Sequence, residues 1–145
     1  MVTGTKGLEL IKLWEGLRLK AYLCTAGYWT IGYGSIKYSN TNTPVKKGDI
    51  ITKEQAEAEL KVDLQSFEKI MDAAITIDLT QNQFDALVSF WFNTGGSNTL
   101  AKLINSKADK KDIYRWWTTH YITSNGKPTP GLVSRRKAEA DLFFS

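Results

Sequence analysis

With 145 residues, 42% of them hydrophobic and 23% charged, and a formal charge of +4, the chain has an ordinary globular composition with a modest basic excess. No apolar run approaches the ~20 residues needed to cross a bilayer, which excludes membrane insertion. The lysines are scattered from Lys6 to Lys137 rather than gathered into the basic stripe of a nucleic-acid binder. "MVTGTKGLEL" has no apolar stretch of signal-peptide length, so the chain is expected to stay in the cytoplasm that makes it. One cysteine, Cys24, cannot close an internal disulfide.

In chain order, Leu10, Trp14 and Leu17 recur at helical spacing with Ile11 beside them, predicting a helix over 5–17 with Thr5 as its N-cap. From Ala21 the pattern changes to aromatic and β-branched residues broken by "TAG" at 25–27, which predicts two short strands and a turn. In "YWTIGYG", period-2 alternation sends Thr30 away from the apolar face of Trp29, Ile31 and Tyr33. The polar run 39–49 reads as a loop or an irregular third strand closing a small sheet. Thr52 with Gln55 forms a capping box, and Ala56, Leu60, Leu64, Phe67, Met71 and Ile75 then hold a helical stripe to about residue 76. Thr80 with Gln83 opens a second helix, apolar on more than one side, which Gly95 and Gly96 stop. Short helices are expected from Ser97 and from Asp109, a break at "SNGKPTPG", and a last helix over "LVSRRKAEADLFF".

A carboxyl at the end of the first helix, as at Glu15, reads by position as a surface glutamate. Turned toward the hairpin and desolvated by Trp14, it would have a raised pKa and could serve as a general acid. Cys24 alone reads as a small buried hydrophobe, and Thr30 as a residue chosen for β propensity. Taken together they gain meaning. Glu15, eight residues, Cys24, five residues and Thr30 resemble the catalytic pattern of the phage-type lysozymes (endolysins, muramidases), in which Asp or Cys takes the middle place. The segments "EGLRLKAY", "GYWTIGYGS", "TQNQFDALVSFWFNTG" and "GLVSRRKAEADLF" are similar to that family in the same order.

The resemblance implies a lysozyme-like α+β fold in one domain. Its parts would be a small β lobe over about 18–50, a connecting helix over about 52–76, and a helical lobe over about 80–145 that includes the N-terminal helix, with the active-site cleft between the lobes. It implies hydrolysis of the β-1,4 bond between N-acetylmuramic acid and N-acetylglucosamine in peptidoglycan. Glu15 would be the acid, with Cys24 and Thr30 holding the water, and the outcome would be inversion. An aspartate at position 24 would be a stronger acceptor than a thiol, whose reference pKa is about 8.5. Substrate contacts are implied for Ile36, Phe92 and Asn93. Arg135 or Arg136 would be a buried partner of Glu15 or Glu139, with a solvated helix face as the alternative. Where many relatives have histidine after "TIGYG", this chain has Ser35, which removes a contact that supports the fold in those relatives. His120 reads as structural or surface, and no metal or cofactor is implied. A holin-type pore would release the enzyme, a monomer, from the host cytoplasm at lysis. Rival readings are a catalytically inactive wall binder of the same fold, a lytic transglycosylase and a basic nucleic-acid-binding domain.

Overall fold

The computed structural model describes residues 1–145 as six α-helices and three two-stranded antiparallel hairpins, the α+β class expected. No helix is long and apolar enough to cross a membrane. The chain divides into two compact units, one made of residues 1–14 with 67–145 and the other of residues 15–66. The second unit is larger than the lobe expected over 18–50, because it takes in the end of the first helix and the first turns of the long one.

Within residues 15–66, β1 (Arg18–Leu23) pairs with β2 (Trp29–Gly32) in a register that sets Tyr22 against Thr30 and Leu23 against Trp29, with a bulge between Arg18 and Tyr22. In the next hairpin, β3 (Lys37–Tyr38) pairs with β4 (Thr43–Pro44); β4 falls within the stretch 39–49 read as a loop or irregular strand, and β3 just before it. Ala21, Ile31, Tyr33, Val45, Ile51, Ala56, Leu60 and Leu64 form the core of this unit. The helix α2 (Lys53–Ala74) begins on the expected box: the Thr52 N–H donates to Gln55 Oε1 at 2.8 Å and the Gln55 N–H to Thr52 Oγ1 at 3.1 Å. Gly32 has a φ of 67°, and a Cβ there would stand 3.3 Å from the Ala56 Cβ, so a side chain would press on the α2 backbone.

The other unit is helical. It comprises α1 (Thr5–Glu15) as far as Trp14, the end of α2 from Phe67, α3 (Gln81–Thr94), α4 (Asn98–Asn105), α5 (Lys110–Thr119), the hairpin β5 (Thr123–Ser124) with β6 (Lys127–Pro128), and α6 (Pro130–Phe143). Every residue from Phe84 to Trp91 on α3 is buried, as expected for a helix apolar on several sides. Thr80 forms the predicted box with Gln83, and Gly95 ends the helix at a φ of 82°. The short hairpin occupies the stretch read as a break.

The first helix differs from expectation at both ends. Leu17 lies beyond it, because Gly16 turns left-handed at a φ of 72° and stops the helix at Glu15. Thr5 is already helical. The free N–H groups of the first turn are met from elsewhere in the chain: Gly4 and Gly7 donate to the two carboxylate oxygens of the buried Asp85 on α3, at 2.8 and 3.0 Å.

Candidate functional site

Glu15 is the last residue of α1, half-buried, and the left-handed turn at Gly16 carries the chain straight into β1. Its carboxyl faces the far end of the first hairpin: a Cβ placed on Gly34 would stand 3.9 Å from Glu15 Oε2. Gly34 has a φ of 101°, a left-handed conformation that calls for glycine.

Cys24 sits just past β1 in the turn that "TAG" predicted. The turn is closed by the Cys24 N–H donating to the Tyr28 carbonyl and the Gly27 N–H donating to the Cys24 carbonyl, both at 2.9 Å. The thiol is partly exposed. It is held below its ordinary pKa first by the Tyr28 peptide N–H and next by the Thr30 hydroxyl, with the N–H groups of Ala26 and Gly27 adding to them against desolvation. Donors that converge on sulfur favour the thiolate, a better acceptor for a water proton than a thiol.

Thr30, which alternation sets on the face away from Trp29 and Ile31, is only 4% exposed. The strand is four residues long, and Thr30, Ile31 and Gly32 are all buried, which means both of its faces are covered. The Thr30 hydroxyl donates to the Tyr28 carbonyl at 3.0 Å or turns to the Cys24 sulfur. Having a single proton, it can make only one of these bonds at a time, which leaves its lone pairs open to a third partner.

Ser35 supplies a contact that sequence reading did not find. It is buried, and its hydroxyl donates to Asp63 Oδ2 on α2 at 2.7 Å. Burial raises the Asp63 carboxyl from its ordinary value, and the Ser35 hydroxyl opposes that rise. The partners lie 28 residues apart, and no local motif announces the pair.

In the helical unit, Phe92 is half-buried and meets the Phe67 ring edge-on, with centroids 5.3 Å apart. Asn93 is exposed, and its Oδ1 accepts from Arg136 Nη2 at 2.6 Å, which leaves the amide nitrogen as the outward donor. Ile36, in the other unit, is 47% exposed. Both arginines are buried and both reach Glu139: Arg135 Nε lies 3.4 Å from Oε2, and Arg136 Nε 3.0 Å from Oε1. Glu139 accepts further from the Ser89 hydroxyl at 2.6 Å and the Trp117 indole at 3.3 Å. Burial pushes the Glu139 carboxyl up, and Arg136, Ser89, Arg135 and Trp117 all oppose it. His120 is exposed, stacked on Trp116 at 4.4 Å.

With this geometry in hand, comparison with known proteins is specific. A family model described as phage lysozyme matches residues 12–139. The chain is 42% identical to an endolysin of Acyrthosiphon pisum secondary endosymbiont phage 1, over 97% of this chain and 96% of that protein. It is 39% identical to an endolysin of Bacillus phage B103, over 96% of this chain and 52% of the longer relative. Among solved structures, a mutant P22 lysozyme superposes with a TM-score of 0.87 at 32% identity, covering 100% of this chain and 99% of that one.

Proposed function

Because the chain belongs to the phage lysozyme family, we propose that Glu15 is its general acid and that Cys24 and Thr30 hold the attacking water. The protein is a glycoside hydrolase, an endolysin acting on bacterial peptidoglycan to lyse the cell. The bond cut is the β-1,4 link between N-acetylmuramic acid and N-acetylglucosamine. Glu15 gives its proton to the glycosidic oxygen as the C–O bond breaks. Water bonds to the anomeric carbon from the opposite face, and the proton it releases passes to the Cys24 thiolate. Thr30 orients that water through a lone pair. The observation that carries this reading is the convergence of donors on the Cys24 sulfur, because it favours the ionised form that can accept the water proton. Attack by water rather than by the protein makes the reaction inverting, an outcome that requires acid and acceptor to stand roughly 6.5–9.5 Å apart.

Ile36, Phe92 and Asn93 contact the sugars. An apolar surface beside an amide donor suits an acetamido group, which offers a methyl and a carbonyl acceptor. Arg135 and Arg136 act from behind, Arg136 by holding the Asn93 amide in one orientation. The enzyme works as a monomer, waits in the host cytoplasm and reaches the wall through a holin-type pore. Deleting the pore gene should delay lysis, and lysis on time without it would count against that route.

The test is the release of reducing ends from purified peptidoglycan, with the product anomer read by NMR. Glu15→Gln should lose about 10²- to 10⁴-fold in kcat, and Cys24→Ser about 10²-fold or more, with folding unchanged by circular dichroism. A retained anomer would overturn the water-attack geometry. Absence of new reducing ends would indicate a wall binder, and anhydro-muramic products a transglycosylase.

A further inference from the structure

Residues 15–66 carry a concavity of about 610 Å³, lined by the β3–β4 hairpin, the loop after it and the first turns of α2. Neither Glu15, Cys24, Thr30 nor Ile36 lines it, so it is not the site described above. Its volume lies within the range of small-ligand sites, roughly 300–1,000 Å³.

One wall is a helix face. Gln55, Ala58, Glu59 and Val62 stand at i, i+3, i+4 and i+7 on α2, beside the buried stripe of Ala56, Leu60 and Leu64 but not part of it. Val62 is 40% exposed, and Ile50, on the facing loop, 73% exposed. These apolar side chains are presented in a groove, where they neither fill the core nor lie singly on a convex surface.

The polar groups of the groove fall into two sets. One set is fixed from within. Tyr38 donates to Asp49 Oδ2 at 2.7 Å, and burial followed by Asp49 pushes its phenol up to about 12, so it stays a donor. Ser39 donates through its N–H and hydroxyl to Glu59, at 3.1–3.2 Å, and Gln55 Oε1 is taken by the Thr52 N–H. The other set is unspent: the Asn40 amide, the Lys46 ammonium and the Gln55 Nε2 make no hydrogen bond within the chain. The groove therefore offers a carboxylate at Glu59 oriented by Ser39, the Lys46 cation with Asp49 in its field, free amide donors, and aliphatic walls.

We propose that this groove binds the peptide stem of peptidoglycan, as a second substrate site separate from the residues that cut the glycan; this rests on reading the chain as a peptidoglycan hydrolase. A stem peptide matches the groove in chemistry. Its carboxylates suit Lys46 and the amides of Asn40 and Gln55, the ammonium of its diamino acid suits Glu59, and its alanyl methyl groups suit Ala58, Val62 and Ile50. A neutral glycan would leave the opposed charges of Lys46 and Glu59 unmatched. Holding a stem would keep the enzyme on an insoluble polymer between cuts, because the second contact becomes intramolecular.

The experiment pairs a titration with kinetics. Amide NMR of the whole chain is followed with the synthetic stem peptide Ala-γ-D-Glu-Lys-D-Ala-D-Ala and, separately, with tri-N-acetylchitotriose. The peptide should shift residues within 38–62 and leave the 24–30 turn unmoved. The double variant Lys46→Met, Val62→Gln, both at exposed positions, should lose those shifts. It should also raise KM on intact cell-wall sacculi about 5- to 10-fold, with kcat unchanged and with no effect on glycan strands stripped of peptide by an amidase. Absence of peptide shifts in the groove at millimolar concentration would overturn the proposal. So would shifts there with the chitotriose alone, or an equal loss on both substrates. If the native protein cut neither substrate, the hydrolase reading would fail, while the titration would still decide what the groove binds.

Discussion

A sulfur that receives hydrogen bonds from Tyr28 and Thr30 ionises at lower pH than a free cysteine, and the direction can be tested at this single residue. Thiolates and not thiols react with iodoacetamide, so the alkylation rate of Cys24 should rise with a midpoint below the ~8.5 of an unperturbed thiol. Thr30→Val removes one donor and should move that midpoint upward; a midpoint at or above the free-thiol value in the native chain would remove the case for Cys24 as the proton acceptor. The spacing of Glu15, Cys24 and Thr30 was legible because it is a pattern along the chain. The surroundings of the thiol were only half legible. "TAG" announces the turn, but no rule of sequence says that its amides point at sulfur. Alternation assigns Thr30 a face but not its burial, because both faces of this four-residue strand are covered.

Helices α2 and α3 announce their starts in four residues each, because a capping box is closed by side chains three positions apart. The start of α1 carries no such sign, since its cap is Asp85, 78 residues beyond Gly7. Gly7 reveals the dependence. A Cβ there would meet the Cβ and Cγ of Asp85 and the Thr3 Cγ2 at 2.8 Å, so the close approach of α1 to the carboxylate requires glycine. In an isolated helix Gly→Ala is favourable by ~1 kcal/mol. Here Gly7→Ala should instead destabilise by about 1–3 kcal/mol, the usual cost of overpacking, read as a lower urea midpoint at constant m. A stabilised variant would mean that Asp85 can withdraw without loss.

Across the molecule, the charged group with the most at stake is Glu139, fully buried between two arginines, a serine and an indole. Its removal takes the shared carboxylate from two buried guanidiniums, so Glu139→Ala should cost about 3–5 kcal/mol, whereas Lys137→Ala, which breaks an exposed pair with Asp141, should cost under about 1 kcal/mol. Equal thermal shifts for the two variants would contradict this account. That an arginine lies on the inner face of α6 was legible from helical spacing. That both converge on Glu139 was not, because residues three and four before it lie on adjoining edges of one face, and only the packed neighbours Ser89 and Trp117 decide how each side chain folds back.

The division of the chain also bears on the order in which the protein can be built. Residues 15–66 are contiguous, so their unit is complete in the chain once residue 66 is made, whereas residues 1–14, synthesised before them, belong to the unit made after them. The first helix must wait for Asp85, 78 residues behind Gly7, which at 5–20 residues per second is about 4–16 s of translation. During that time its open amides and the buried face of Ile11 have no native partner. The nascent protein should thus be most exposed to proteases and chaperones at its oldest end. Joining residues 1–14 after position 145 in a circular permutant would make both units contiguous and abolish the delay.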